Sequence, residues 1–289
     1  MRSEGIREGR LRSFDGTEIA TFRQGHRGRW LLLANGLGGN VNAWVHQLRH
    51  FDGRVRFATW DYRGLYKSGP PANRSVTIDD HVGDAQVVMQ EYGIKDAVVI
   101  GWSMGVQVAL ELYRRHPESV AALVLLNGTH GRPLQESLAR SWGPITCGLR
   151  AVGRAAPAVL RAVGPLAQSP LIPKAIKATG LVSGTLDETV FRGLAAEFVT
   201  LDFDDYVQIF LELARHDARE ILPTIQVPTL VFTGGRDFLT PSSMGAEMAD
   251  RIPGAERTHV PGASHYTCVE FPDVVNHRIE TFLQDHKLL

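Results

Sequence analysis

Ser103, Asp237 and His265 are the residues of this chain whose types and settings could do chemistry together. A serine hydroxyl is a weak nucleophile at neutral pH. It needs a base beside it, usually a histidine whose ring is oriented by a carboxylate. Ser103 lies in Gly101-Trp102-Ser103-Met104-Gly105, after the β-branched run Val98-Val99-Ile100 and before the helical pattern Val106, Ala109, Leu110, Leu112, Tyr113. A serine between two glycines, where a buried strand turns into a helix, has the layout of a nucleophile elbow. The turn strains the serine backbone, and the glycines on either side remove Cβ atoms that would clash as helix crosses strand. Asp237 follows the apolar run Val227–Phe232, and His265 follows residues 255–260 in Pro261-Gly262-Ala263-Ser264-His265-Tyr266. Parallel strands end on one sheet edge, so the three side chains can converge there, in the chain order Ser, Asp, His.

The elements that must hold these residues alternate. Residues 6–13 and 17–24 read as a hairpin around Asp15-Gly16, and Trp30–Ala34 as a short buried strand. Trp44, Leu48 and Phe51 have helical spacing, Val55–Trp60 is a strand, and Ile78–Tyr92 is a helix opened by Thr77 and closed by Gly93. Strand 97–100, helix 104–116 and strand Val120–Leu126 continue the pattern, which implies a parallel sheet covered on both faces. From about Gly131 to Leu222 the chain is mostly helical, interrupted by glycine and proline. Strand 227–232, helix 241–251, strand 255–260 and helix 271–284 then resume the alternation. The expected organisation is a core of residues 1–130 and 222–289, with residues 131–221 inserted as a helical cap over the top of the sheet.

Composition bounds the partners. The chain has 289 residues, a formal net charge of zero, 44% hydrophobic and 21% charged residues. It has no global pull toward nucleic acid, so a small-molecule substrate is expected. The N-terminus has charge but no apolar stretch, and no apolar run approaches the length that spans a bilayer. Cys147 and Cys268 lack metal-ligand spacing or a disulfide framework and suit a reduced, cytoplasmic protein. Between Ser137 and Leu186 there is no acid, only Arg140, Arg150, Arg154, Arg161, Lys174 and Lys177, and the balance reverses from Asp187 to Glu220. This could be a basic face for a membrane surface, but charge runs are usually solvated, which favours two helical layers that neutralise each other. Asp202, Asp204 and Asp205 match no regular metal site, and neither a metal nor an organic cofactor is expected. Oligomeric state is not legible.

The elbow, Gly-x-x-Asp-x-x-x-Pro at 234–241 and Gly-x-x-His at 262–265 together resemble the α/β-hydrolase fold family, in its branch with a helical cap after the sixth strand. The resemblance covers nearly the whole chain. It implies an α/β fold, with a mostly parallel eight-stranded sheet flanked by helices and an inserted cap. It also implies Ser103 as nucleophile, Asp237 as acid and His265 as base. Some members carry the acid after the sixth strand, but Asn127-Gly128 there offers no carboxylate. The elbow supplies the backbone N–H of Met104 to an oxyanion. Asn35-Gly36-Leu37-Gly38-Gly39 is similar to the family's His-Gly-x-Gly loop, implying the N–H of Leu37 as a second donor, with Asn35 able to brace the loop. Asp61-Tyr62-Arg63-Gly64-Leu65-Tyr66-Lys67-Ser68 resembles the family's Asp-x-Arg-Gly-x-Gly-x-Ser loop. Asp61 and Arg63 there read as a structural pair, and Tyr66 stands where a glycine is usual. Asn35, Gly36, Trp102, His130, Phe238 and Tyr266 are the substrate-binding candidates.

These features point to a serine hydrolase that cleaves an ester-like bond of a small substrate through an acyl-enzyme, of carboxylesterase or lipase type. The Leu, Ile, Val and Ala content of the cap suggests an apolar substrate. Lactonase, thioesterase, carbon–carbon-bond hydrolase and cofactor-free perhydrolase chemistry would use the same triad. Epoxide hydrolases and haloalkane dehalogenases of this fold carry a carboxylate at the elbow, so Ser103 excludes them. A ligand receptor that keeps the fold without turnover is the alternative of another class.

Overall fold

A computed structural model describes residues 5–131, 169, 174, 176–178 and 182–289. Strands β1 (Arg7–Arg12) and β2 (Glu18–Gln24) form the hairpin expected around Asp15-Gly16. They are followed by β3 (Trp30–Ala34), β4 (Arg56–Trp60), β5 (Ala97–Trp102), β6 (Val120–Leu126), β7 (Thr229–Gly234) and β8 (Glu256–Val260). All eight lie in one sheet of order β1-β2-β4-β3-β5-β6-β7-β8. The β1–β2 and β2–β4 pairs are antiparallel and the other five are parallel. Strand β7 starts two residues later than its apolar run suggests, because Pro228 has no N–H to give to a ladder.

Among the described residues the α-helices are α1 (Val45–His50), α2 (Ile78–Glu91), α3 (Met104–Arg115), α4 (Glu188–Phe198), α5 (Phe203–Arg215), α6 (Ser242–Arg251), α7 (Thr267–Glu270) and α8 (Pro272–Asp285). Alternate residues of each central strand feed opposite cores, as the two-residue period of a strand requires. Leu32, Val99, Leu123 and Val231 pack with Val82 and Ala85 of α2 and Val106 and Leu110 of α3. Leu31, Val98, Val124 and Leu230 pack with Leu48 of α1 and Val275, Ile279 and Phe282 of α8. Because both faces are covered, these strands read as unbroken apolar runs rather than alternating ones. Helix α2 opens at Thr77, as its sequence predicts, and the structure adds a capping box with Asp80. The Thr77 hydroxyl accepts from the Asp80 N–H at 3.2 Å, and the Asp80 carboxylate accepts from the Thr77 N–H at 2.9 Å.

Helices α4 and α5 lie between β6 and β7. The ends of this insertion meet at the sheet edge, where Gly131 bridges Asp217 and the Ala218 N–H donates to the His130 carbonyl at 2.7 Å. Asp187 and Asp202 cap α4 and α5. Asp202 accepts from the N–H groups of Asp204 (2.9 Å) and Asp205 (3.3 Å), so this acidic cluster opens a helix whose N-terminus favours negative charge. Arg140, Arg150, Arg154, Arg161 and Cys147 lie outside the described residues, while Lys177 pairs with Glu188 at 2.9 Å. Cys268 is buried, which pushes its thiol up to about 12. Among the described residues no helix is long and apolar enough to cross a membrane.

Asp61 and Arg63, expected to act as a structural tether, do so separately. Arg63 is fully buried and reaches Asp84 with Nε (2.9 Å) and Nη2 (2.6 Å) and Asp15 with Nη1 (3.0 Å), while Asp80 stands 3.7 Å away. It ties the β1–β2 turn and the start of α2 to the loop after β4. Asp61 instead turns to its own loop and accepts the Lys67 N–H at 3.2 Å. The planar guanidinium needs several oxygens in one plane, and three aspartates distant in sequence supply them better than one neighbour can.

Candidate active site

Ser103 joins β5 to α3 with φ +55° and ψ −118°, a backbone region that residues with a Cβ seldom occupy. The flanking glycines are what allow it. A Cβ on Gly101 would stand 2.3 Å from the Gly105 carbonyl oxygen, and one on Gly105 would stand 2.1 Å from that of Ala34. The Ser103 N–H donates to Leu126 at 2.9 Å, which pins the turn to the end of β6.

His265 stands on the loop after β8 and Asp237 on the loop after β7. The His265 Nε2 is 2.7 Å from the Ser103 Oγ, and its Nδ1 is 2.9 Å from the Asp237 Oδ2. A carboxylate that faces Nδ1 places the ring proton there and leaves Nε2 free to accept the serine proton. Asp237 is held in turn. Its Oδ1 accepts the N–H groups of Leu239 (3.0 Å) and Thr240 (2.9 Å), and its Oδ2 accepts the Thr240 hydroxyl at 2.7 Å. Burial pushes the Asp237 carboxyl up, but His265 and the Thr240 donors more than offset this and hold it below the usual carboxylate range. It therefore stays ionised where an imidazole works as a base.

Three supports of this arrangement carry no motif. Asn127 donates through Nδ2 to Asp237 Oδ2 (3.0 Å) and to the Ser264 carbonyl (3.1 Å). Glu270 is buried and accepts the Ser264 N–H (2.7 Å), the Ser264 hydroxyl (2.6 Å) and the Ser183 N–H (2.7 Å), so it joins the histidine loop to the insertion. Thr240, three residues after Asp237, was the one legible in principle, because an aspartate followed by two or three N–H groups is an Asx turn.

The six substrate-binding candidates divide. Asn35 is 1% exposed and its polar atoms are spent. It donates to the Trp60 carbonyl and accepts from the Trp44 indole, each at 2.7 Å, while its carbonyl accepts the Tyr62 hydroxyl. It braces the loop after β3. Trp102 is likewise buried, and its indole N–H donates to the His265 carbonyl at 2.9 Å, so it supports the histidine rather than offering an open wall. Tyr266 packs its ring 5.5 Å from Trp102 and 5.5 Å from Phe191 of α4. Phe238 is half exposed beside Asp237. His130 is fully buried, with Nε2 3.9 Å from Glu247 of α6.

Gly36 lies against Ser103, since a Cβ on it would be 3.2 Å from the Ser103 Cβ. Leu37 is the next residue. Met104 is the first residue of α3, so its N–H has no carbonyl one turn back in the helix. The Tyr66 hydroxyl donates to the Gly38 carbonyl and so holds the loop after β3 from outside. Tyr66 takes φ +53°, the left-handed conformation that the glycine usual at that place would adopt without cost. Burial raises its hydroxyl well above the usual phenol range and keeps it a donor. From the insertion, Phe198 and Tyr206 press on Gly38, where a Cβ would meet the Phe198 ring at 2.8 Å. Among the described residues no group of three or more His, Cys, Asp or Glu side chains could hold a metal ion.

Comparison with known proteins gives the same fold. Residues 29–144 match the family model described as alpha/beta hydrolase fold, and residues 213–288 match that of a TAP-like protein. A protein named "Putative carbamate hydrolase RutD" from Azorhizobium caulinodans is 27% identical over 256 residues, 87% of this chain and 90% of the relative. A protein of the same name from Caulobacter sp. strain K31 is 25% identical over 278 residues, 93% and 97% of the two chains. The crystal structure of the enol-lactonase from Burkholderia xenovorans LB400 superposes with a TM-score of 0.76 at 25% identity, covering 96% of this chain and 100% of that one. The esterase EaEST from Exiguobacterium antarcticum shares the fold with a TM-score of 0.75 at 21% identity, over 96% and 100%. By its sheet, its matched segments and these likenesses, the chain has the α/β-hydrolase fold.

Proposed function

We propose that this protein is a serine hydrolase that cleaves an ester-like bond of a small substrate by two-step acyl transfer. The observation that carries the reading is the relay in which the Ser103 Oγ lies 2.7 Å from His265 Nε2 and His265 Nδ1 lies 2.9 Å from Asp237. His265 Nε2 takes the hydroxyl proton as Oγ attacks the carbonyl carbon, and the oxygen that gains charge is held by the N–H groups of Met104 and Leu37. The tetrahedral intermediate collapses as Nε2 returns the proton to the leaving oxygen, leaving Ser103 acylated. His265 then takes a proton from water, the hydroxide attacks the acyl carbon, and Ser103 leaves with the proton returned. Asp237 keeps the imidazole in the productive tautomer and stabilises its charged form. Residues 131–221, which include α4 and α5 beside Gly38 and Tyr266, act as the cap that selects the substrate.

A second reading is supported by the names of the relatives. A carbamate offers the same carbonyl carbon to Ser103, and a lactone, as in the name of the Burkholderia structure, differs only in that the leaving oxygen stays tethered. Activity-based labelling with a fluorophosphonate, compared between native protein and Ser103→Ala, tests the nucleophile. Stoichiometric labelling that disappears in the variant is expected, and labelling at the native level in Ser103→Ala would refute it. Turnover of para-nitrophenyl esters, lactones, thioesters and carbamates, with Ser103→Ala as blank, sorts the substrates. Absence of turnover on every class would favour the receptor.

A further inference from the structure

We propose that Asn127 is a positioning residue of this site, one that holds the acid loop and the histidine loop in register and disperses the charge of Asp237. The proposal rests on the serine hydrolase reading above. Asn127 follows β6 directly and is 2% exposed. Its backbone N–H donates to Phe232 at 3.2 Å, and the residue before it, Leu126, accepts the Ser103 N–H at 2.9 Å. It therefore stands where the elbow, the acid strand and the histidine loop come together.

The side chain is oriented without ambiguity. Both of its partners, the Asp237 carboxylate at 3.0 Å and the Ser264 carbonyl at 3.1 Å, accept hydrogen bonds, so the amide must turn its NH2 toward them. The other end of the amide has no such reward: Oδ1 is buried without a hydrogen-bond partner among the described residues. A buried unsatisfied oxygen is costly, and the residue nevertheless keeps it. Its backbone is unusual too, with φ +45°, where asparagine, aspartate and glycine are the residues best tolerated. Space around the donor is tight, since a Cβ on Gly234 would lie 3.0 Å from Asn127 Nδ2.

The donor acts on the oxygen that matters. Asp237 Oδ2 is the atom that faces His265 Nδ1, and it also receives the Thr240 hydroxyl. Among the described residues the titratable groups linked to Asn127 are Asp237, His265 across that carboxylate, and Glu270 across Ser264. Removing the amide N–H concentrates charge on Oδ2, so the imidazolium is held more tightly and the base is available only at higher pH. It also unlinks Ser264, the neighbour of His265, from the acid loop. A role confined to filling space would do neither.

Two variants that suit the backbone test this. Asn127→Gly removes the donor and relaxes the left-handed residue. Asn127→Asp keeps the shape and replaces the donor by a carboxylate. Fluorophosphonate labelling of the native protein is measured first, so that failure of the serine hydrolase reading is recognised separately. In both variants kcat should fall between about tenfold and a hundredfold, the cost of a small misplacement of catalytic groups, with KM within about twofold. The acid limb of the kcat/KM profile should move to higher pH, further for Asn127→Asp. If Asn127→Gly proves unstable, Asn127→Asp carries the test, because it conserves volume and backbone preference. A kcat within about twofold of native in both, a loss carried by KM, or a fall in kcat with the acid limb unmoved would each overturn the proposal.

Discussion

Asp61 is a carboxyl buried at the end of β4 with one oxygen unpaired among the described residues, and exchanging it for asparagine makes the cost of that burial measurable. Burial raises its pKa from 3.8 to about 7, with Glu197 nearby adding to the rise and the Lys67 N–H opposing it. Between those two values the unfolded chain ionises while the native protein keeps its proton. A group raised in this way contributes its full stability below the unfolded value and loses it as pH climbs through the native one. The native protein should therefore lose about 1.4 kcal/mol per pH unit from near pH 4 to near pH 7, on the order of 4 kcal/mol in all, and level off above. The Asp61→Asn variant still offers an oxygen to the Lys67 N–H but carries no charge. Its stability should match the native protein near pH 4 and exceed it by up to that amount at pH 8. For an unfolding entropy of about 2 cal/mol/K per residue, the gap at pH 8 corresponds to a Tm increase of roughly 7 °C. Calorimetry of both proteins at pH 4, 6 and 8 gives the answer. A gap that does not change with pH, or a variant less stable than native at pH 8, would refute the reasoning.

The buried Arg63 cluster should behave in the opposite sense. Replacing Arg63 by methionine leaves Asp84 and Asp15 without their cation and should cost about 3–5 kcal/mol, read as a shift of the denaturant midpoint at pH 7. Trp102→Phe keeps the ring but loses the indole N–H to the His265 carbonyl. It should lower kcat by about tenfold with KM nearly unchanged, and an unaltered kcat in steady-state kinetics would remove Trp102 from the support of the histidine.

The parts of the site that were legible in the sequence are those where a strand ends in a short local pattern. Ser103 and Asp237 each follow an apolar run and His265 follows the strand of residues 255–260, and each loop carries the glycines that its turn requires, so type and place could be read together. The parts that were not legible depend on contacts between distant segments. Asn127 looked like a position lacking a carboxylate, and nothing in Leu126-Asn127-Gly128 says that its amide reaches across two neighbouring loops. Asp61 and Arg63 read as a structural tether, but nothing in their loop says that Arg63 would reach Asp15, Asp80 and Asp84. Asn35 was read as a brace of its loop, but nothing local says that the buried indole of Trp44 would be its partner.

By itself the sequence determined the order of strands and helices, the parallel sheet and the chemistry carried at each strand end. These follow from periodicity and turn residues, which act over a few positions along the chain. The tertiary structure alone decided which of those groups meet, which polar atoms are already spent on support, and which carboxylates are ionised. Those outcomes depend on distances of a few ångströms and on burial, and both arise only when separate segments of the chain pack against one another.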